Sequence, residues 1–333
     1  MSGPALIAGF DAGQTHTTCR LVREGTVLAE GEGPGVRHLA APGGEQAFGD
    51  ALRQSLAQAG AAAGLPAPLR LDAAAIGASG IEVGTPVQQR GRQLAAATLQ
   101  LPLARVAVTG DERTALRGAM GSHGEGLVLI SGTGTIAVGR NRLGREHRCA
   151  GWGWLLDGAG SAMDIGRDGL ARSLEMADGR RPESGLRQRL WQQLGIDSHA
   201  PGAAQALKAL VVQPDFGPAG FARLAPLVVA AAEAGDPEAR GIVAHNAAAL
   251  AAMAVTICRE LELSCPLIWP MGGALEHLPA LRRRLEEALG QRLPGASLAV
   301  PAGDACAGAL TMAAELLRPP PGAGAPEGRN SLS

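Results

Sequence analysis

The stretch Leu127-Val-Leu-Ile-Ser-Gly-Thr-Gly-Thr-Ile-Ala-Val-Gly139 restricts this chain more than any other. Leu127 to Ile130 are four apolar residues that read as a buried strand, and Gly126 leaves the backbone free to enter it. Ser131-Gly132-Thr133-Gly134-Thr135 makes a tight turn of small residues, and Ile136 to Val138 returns as a second strand. Glycines without a Cβ let backbone N–H groups converge on a bound anion, and the hydroxyls add donors. The turn joins strand to strand, so it differs from loops that place phosphate on a helix N-terminus. Taken alone, the stretch is equally a phosphate cradle or an ordinary Gly-rich hairpin.

A second stretch on the same plan weighs on that choice. Ala5 to Phe10 reads as a buried strand ending in Asp11, Asp11-Ala-Gly-Gln-Thr15 as a small-residue turn, and Thr17 to Val22 as the returning strand. Thr26 to Glu30 adds a third strand. Each of two strand meanders therefore opens with a Gly/Thr hairpin.

Chemistry enters at the carboxylates. Asp11 closes the first strand, and Asp111 follows the short strand Val106 to Val108 and opens a helix ending near Gly118. A carboxylate at that place accepts a proton from an attacking hydroxyl, or simply caps the helix. Asp304 opens the last helix in the same way, and there the cap is the preferred reading.

At 333 residues the expectation is about two domains, at ~100–200 residues each. A hydrophobic share of 46% and a charged share of 18% allow a sizeable core. Acidic and basic residues nearly cancel, 31 against 30, which argues against a nucleic-acid or anionic-membrane partner. No segment approaches the ~20 unbroken apolar residues of a membrane span, and no basic stretch precedes an apolar one at the N-terminus. Cysteines 19, 149, 258, 265 and 306 show no paired spacing, as expected of reduced thiols in a cytoplasmic protein.

Between the meanders the pattern predicts a helix over 45–59, a strand over 73–78 and a helix over 87–99. After the Ser131 hairpin it predicts a loop between Gly151-Trp-Gly-Trp154 and Gly158-Ala-Gly160, then a helix over 161–176. Residues 183–263 are mostly helical, with a long Ala-rich helix over 237–263. Pro266 to Pro270 is a strand, Met271-Gly272-Gly273 a turn at its end, 297–300 a weak strand and 304–317 a last helix. The Pro/Gly-rich tail beyond Arg318 is expected to be disordered.

Asp11-Ala-Gly-Gln-Thr15, Val108-Thr-Gly-Asp111, Ser131-Gly-Thr-Gly-Thr135, Gly151-Trp-Gly153 and Met271-Gly-Gly273 occur in one order, each at a strand end. In that order they resemble the N-acetylglucosamine/glucosamine kinases of the BadF/BadG/BcrA/BcrD ATPase family, within the acetate and sugar kinase, heat-shock chaperone and actin superfamily. The resemblance covers residues 5–317. It implies an α/β fold of two duplicated actin-like (ribonuclease H-like) domains around a nucleotide cleft. The expected division is 1–112 for the first domain and 113–317 for the second, which carries a helical insertion. The last helix is a candidate to pack back on the first domain, and 318–333 is the disordered tail.

The resemblance also implies roles. Asp11 would hold Mg²⁺ through water, with no other metal expected, and Gly13, Gln14 and Thr15 would approach the β- and γ-phosphates of ATP. Gly132, Thr133 and Gly134 resemble the second phosphate loop, and Gly272 and Gly273 the adenosine turn. Asp111 matches the catalytic base. Ser79, Gly80, Trp152 and Asp157 are the substrate-side candidates. The implied partner is a small sugar, and a homodimer is the candidate assembly.

The sugar side departs from the family. An asparagine usual after the third strand is absent from Gly33-Pro-Gly-Val-Arg-His38, where Arg37 and His38 are candidates for its role or a solvated loop. The usual Gly-Asp-Glu-Gly becomes Asp157-Gly158-Ala159-Gly160, so the acidic pair is gone and Asp157 sits one position early. Two other readings stay open at this point. One is an activating ATPase of the dehydratase-activator type, which shares an Fe–S cluster across a dimer. The other is a non-catalytic sugar or nucleotide sensor.

Overall fold

The computed structural model describes residues 4–318, and the chain divides into two compact units. The first contains the chain up to Gly118 and again from Gly303, and the second is Ala119–Ala302. The division thus falls after Gly118, where the sequence pattern drew it after Glu112, and the expected tail from residue 319 lies outside the described residues.

In chain order the first unit supplies β1 (Leu6–Ala12), β2 (His16–Arg23), β3 (Thr26–Pro34), α1 (Gly44–Ala62), β4 (Ala73–Ala78), α2 (Pro86–Leu99), β5 (Val106–Thr109) and α3 (Asp111–Met120). Next come β6 (Gly126–Ser131), β7 (Thr135–Arg140), β8 (Glu146–Ala150) and α4 (Ala162–Ala177). Five helices follow: α5 (Gly185–Gln193), α6 (Ala203–Val211), α7 (Gly217–Ala222), α8 (Ala225–Glu233) and α9 (Pro237–Leu261). The second unit closes with β9 (Leu267–Met271), α10 (Gly273–His277), α11 (Pro279–Arg292) and β10 (Ser297–Leu298). The last helix, α12 (Ala305–Glu315), belongs to the first unit.

The two sheets repeat one topology. The first runs β3-β2-β1-β4-β5 and the second β8-β7-β6-β9-β10. In each, three antiparallel strands are extended by two parallel ones. This is the duplicated actin-like α/β pattern.

Burial explains why some strands were easy to read. Leu6, Ala8, Phe10 and Ala12 of β1 pack with Phe48, Leu52 and Ala95 from α1 and α2. Ile7 of β1 and Ala73 and Ala75 of β4 face Ala309 and Ala313 of α12 on the other side. A strand covered on both faces has no polar alternation and appears as an unbroken apolar run. At about 25 cal/mol per Å² of apolar surface, such two-sided burial is a major stabilising contribution to this unit. α12 can lie that close because Gly9, Gly118 and Gly308 carry no Cβ. One on Gly9 would sit 2.7 Å from the Cys306 carbonyl oxygen, and those on Gly118 and Gly308 would collide with Asp304 and Thr114 backbone.

β8 was not legible. Its residues, Glu-His-Arg-Cys-Ala, are polar and only half-buried until Ala150, so nothing in them alternates. Pairing with β7, Ile136 to Arg140 against Ala150 to Glu146, makes it a strand. α9 is long and apolar enough, at mean hydropathy 1.7, to cross a membrane by length and composition. Here it is the central helix of the second core, with Ile242, Val243, Leu250, Ala254 and Ile257 buried and a wholly buried Asn246 among them.

Candidate active-site elements

The carboxyl ends of β1, β4 and β5 lie side by side because these three strands are parallel. Asp11 pairs in register with Gly77, and Gly77 with Thr109, which puts the turns after all three strands along one sheet edge. Asp11, Ser79 and Asp111 come from those three ends. The Ser79 N–H donates to the Ala12 carbonyl at 3.0 Å, and the Gln14 amide donates to Ser79 Oγ at 3.3 Å. Two residues assigned to different ligands from the sequence are therefore direct neighbours. Gly77, paired between Asp11 and Thr109, is glycine for a steric reason, since a Cβ there would run into Thr114 of α3.

The turn after β1 is tied down by its own backbone. Gly13 N–H donates to the His16 carbonyl at 3.0 Å, and the Gly13 carbonyl accepts from Val36 N–H at 2.9 Å. The Gly13 N–H is spent on the hairpin, which leaves Gln14 and Thr15, both exposed, as the outward part of this turn. The His38 ring lies beside Gly80, whose φ is +79° and where a Cβ would sit only 3.0 Å from the ring's Cδ2. His38 is exposed, and its Nδ1 accepts from Ala40 N–H at 3.2 Å.

Asp111 occupies the first residue of α3, and Gly110 precedes it. Its carboxylate accepts the next N–H, that of Glu112, at 3.0 Å, while the Thr114 hydroxyl donates to its carbonyl at 2.9 Å. The cap suggested by the sequence is thus a contact to the N–H of the very next residue. Burial pushes the Asp111 carboxyl up, against a downward pull from hydrogen bonds at Glu112. Asp11 rises further, to about 6, through burial first and then the neighbouring Asp111 charge, with His16 pulling it down and Asp304 adding to the rise. Two half-buried carboxylates whose charges oppose each other are a hard oxygen donor set that a divalent cation would relieve. Among the described residues no group of three or more His, Cys, Asp or Glu is placed to hold a metal. Mg²⁺ takes one or two carboxylates and leaves its other positions to water and phosphate.

Asp304 caps α12, accepting Ala307 N–H at 2.9 Å. Arg20 grips the same carboxylate with two N–H groups at 2.8 and 2.6 Å. Burial pushes Asp304 up, but Arg20 and the Ala307 N–H outweigh it and hold the carboxyl below its ordinary range.

In the second unit the turn after β6 is built differently from the sequence expectation. Gly132 N–H donates to the Gly134 carbonyl at 2.9 Å, so Thr133 and Gly134, both exposed, form its outer part. A Cβ on Gly132 or Gly134 would meet nothing within 4 Å, and neither has a positive φ. The fold itself does not require glycine at either place. Gly272 is the opposite case. It has a φ of +90°, and its Cβ would lie 2.6 Å from the Ser131 carbonyl oxygen. Packing against the Ser131 turn accounts for this glycine, and Gly273 begins α10 in ordinary contact. Pairing of Ile130 with Met271 sets the two turns side by side.

The exit from the 151–160 loop is stitched to the same turn. Ser131 Oγ donates to the Gly160 carbonyl at 2.6 Å, and Ala162 N–H to the Gly132 carbonyl at 2.8 Å. Gly160 N–H in turn donates to Asn246 Oδ1 at 2.7 Å. Asn246, inside an apolar run, was not singled out from the sequence, and a lone polar residue in such a run was its only signal. Asp157 is half-buried and Trp152 is 63% exposed, and both line a pocket of about 600 Å³ against α9. Position 158 is tighter. A Cβ on Gly158 would lie 3.3 Å from a carboxylate oxygen of the buried Asp164, so an acid placed there would face a second carboxylate.

Comparison with known proteins follows the same outline. The family model described as the BadF/BadG/BcrA/BcrD ATPase family matches residues 8–313. The N-acetylmuramic acid/N-acetylglucosamine kinase of Clostridium acetobutylicum is 35% identical over 97 residues, 29% of this chain and 31% of that protein. The N-acetyl-D-glucosamine kinase of Dictyostelium discoideum is 30% identical over 192 residues, 56% of this chain and 59% of that protein. The chain thus spans about a third and three-fifths of these two relatives. A solved structure from Chromobacterium violaceum, provisionally named an N-acetylglucosamine kinase, superposes with a TM-score of 0.70 at 29% identity, covering 94% of this chain and all of that one.

Proposed function

The chain belongs to the BadF/BadG/BcrA/BcrD ATPase family, and from that premise we propose that it is a kinase that phosphorylates an amino sugar with ATP. N-acetylglucosamine and glucosamine are the substrates to test first. The observation that carries the reading is the single sheet edge from which Asp11, Ser79 and Asp111 emerge, with both acids raised by burial.

Phosphoryl transfer asks a protein mainly to position groups and to stabilise charge. Asp111 would accept the proton of the sugar hydroxyl as its oxygen bonds to the γ-phosphorus and the bond to the ADP oxygen breaks. Asp11 would hold Mg²⁺ through water, and bound Mg²⁺ would neutralise charge on the phosphates. Gln14 and Thr15 in the first unit, and Thr133 and Gly134 in the second, would offer donors to phosphate. Gly13 and Gly132 would shape those turns, and Gly272 and Gly273 would face the adenosine. Ser79, Gly80, Trp152 and Asp157 would meet the sugar.

Three of the five cysteines are poorly placed for the activator reading, while Cys149 is half-buried and Cys265 exposed. Cys19, Cys258 and Cys306 are buried, and burial raises the Cys258 thiol to about 11 and, with Asp11 and Asp304, the Cys306 thiol to about 12. Coupled ADP release over N-acetylglucosamine, glucosamine, glucose and muramic-type sugars tests the proposal. Sugar-dependent ADP release with a hexosamine supports it, and ATP turnover indifferent to every sugar would refute it.

A further inference from the structure

The 150–153 segment is held in a costly shape. Ala150, Gly151 and Gly153 have φ values of +66°, +79° and +91°. The left-handed region costs a residue with a side chain such as Ala150 roughly 1–2 kcal/mol. Arg148, in the middle of β8, braces the segment. Its Nε donates to the Ala150 carbonyl at 3.2 Å and its Nη2 to the Gly151 carbonyl at 3.3 Å. The same guanidinium lies over the Trp152 ring, 4.5 Å from the centroid. A planar fork can bond two carbonyls and stack on an indole at once, which an ammonium cannot.

We infer that Arg148 is a positioning residue that turns Trp152 into a one-sided stacking platform for a pyranose ring. The inference rests on the amino-sugar reading above. One indole face is taken by the guanidinium, and Trp152 as a whole remains 63% exposed. It lines the 600 Å³ pocket together with Asp157, Cys149, Leu156, Met253 and Thr256. An aromatic face with a carboxylate at the pocket edge suits a ligand with apolar C–H groups on one side and hydroxyls around its rim. A pyranose has that form. The Thr256 hydroxyl donates to the Ala252 carbonyl at 2.9 Å, so it meets a ligand as an acceptor. Asp157 N–H donates to the Gly153 carbonyl at 2.8 Å, which ties the carboxylate to the braced segment. Loss of the brace would therefore disturb platform and acceptor together.

The test is calorimetric titration of N-acetylglucosamine and glucosamine into the full chain with a non-hydrolysable ATP analogue present. Arg148→Met, Arg148→Lys and Trp152→Ala are compared with wild type. Arg148→Met and Trp152→Ala should each weaken sugar binding about tenfold or more, equivalent to ~1.4 kcal/mol, with analogue affinity within twofold. Arg148→Lys should fall between Arg148→Met and wild type. Arg148→Lys equal to wild type would reduce the residue to a charge and overturn the positioning role. Equal loss of sugar and nucleotide binding would make it a general structural residue and also overturn it. Arg148-dependent sugar binding without sugar-dependent ADP release would refute the kinase reading and leave this one standing. Hexosamine turnover with unchanged sugar constants in Arg148→Met would do the reverse, and no sugar binding by wild type would overturn both.

Discussion

Asp111→Asn separates chemistry from capping within one side chain. Asparagine keeps an oxygen for the Glu112 N–H, now at 3.0 Å, and so preserves the start of α3. Removing the charge forfeits a favourable interaction with the helix dipole, worth about 0.3–1 kcal/mol. The change also removes the Asp111 charge that raises the Asp11 pKa, a gain of opposite sign. Net stability should shift by less than about 1 kcal/mol, or roughly 2–4 °C in Tm for a domain of this size. Loss of a general base instead costs ~10²–10⁴-fold in turnover, about 2.7–5.4 kcal/mol at 1.36 kcal/mol per decade. The two roles thus predict effects that do not overlap. Coupled ADP release on the best sugar, thermal unfolding and ATP calorimetry on the same preparation read all three quantities. The reasoning fails if the variant keeps more than half of wild-type turnover, or if Tm falls by ten degrees or more with the activity.

Gly134→Val should abolish ATP binding with Tm nearly unchanged, because its Cβ meets nothing and its φ is ordinary. Gly272→Ala should cost about 1–3 kcal/mol of stability through its +90° φ and its clash with the Ser131 carbonyl; calorimetry and melting curves that reversed this pattern would contradict the account. Asp157→Ala should raise the sugar KM ~10–100-fold and leave that for ATP unchanged, since a charged acceptor bond is worth roughly 1.5–3 kcal/mol. Steady-state kinetics with both KM values unmoved would place Asp157 outside the pocket's chemistry. Asp11, raised from 3.8 to about 6, favours the folded state below pH 4, and that contribution disappears as pH rises through 6. In metal-free buffer Asp11→Asn should therefore raise Tm at pH 8 and lose that advantage by pH 4; a Tm difference independent of pH would remove the buried-charge explanation.

What the sequence made legible was local or doubly buried. The hairpins at Asp11 and Ser131 were readable because apolar runs flank turns of small residues, and β1 and β4 because both their faces are covered. Asp111 was found by its place after a strand and at a helix start, which sequence order alone supplies. β8 was hidden because its strand character comes from β7 across the sheet. The return of the last helix was itself an expectation, but the points where the chain leaves and rejoins the first unit, Gly118 and Gly303, were hidden because the close approach of α3 and α12 depends on glycines some 190 residues apart in sequence, Gly118 and Gly308. The two small-residue turns lie between the strands that the sequence placed around them, but which N–H groups the hairpins themselves use was not legible. Only backbone hydrogen bonds reveal that Gly13 and Gly132 are committed. Arg148 and Asn246 act through backbone carbonyl and amide groups of distant or irregular segments, and no spacing rule points to them.

The most direct measurement follows the γ-phosphate itself. Wild-type protein incubated with Mg²⁺, N-acetylglucosamine or glucosamine, and ATP would be followed by phosphorus NMR, with products weighed by mass spectrometry. The account predicts one sugar phosphate monoester for each ADP formed with at least one of these sugars, and loss of both products together in Asp111→Asn. Inorganic phosphate as the product, formed equally with and without sugar, would contradict it.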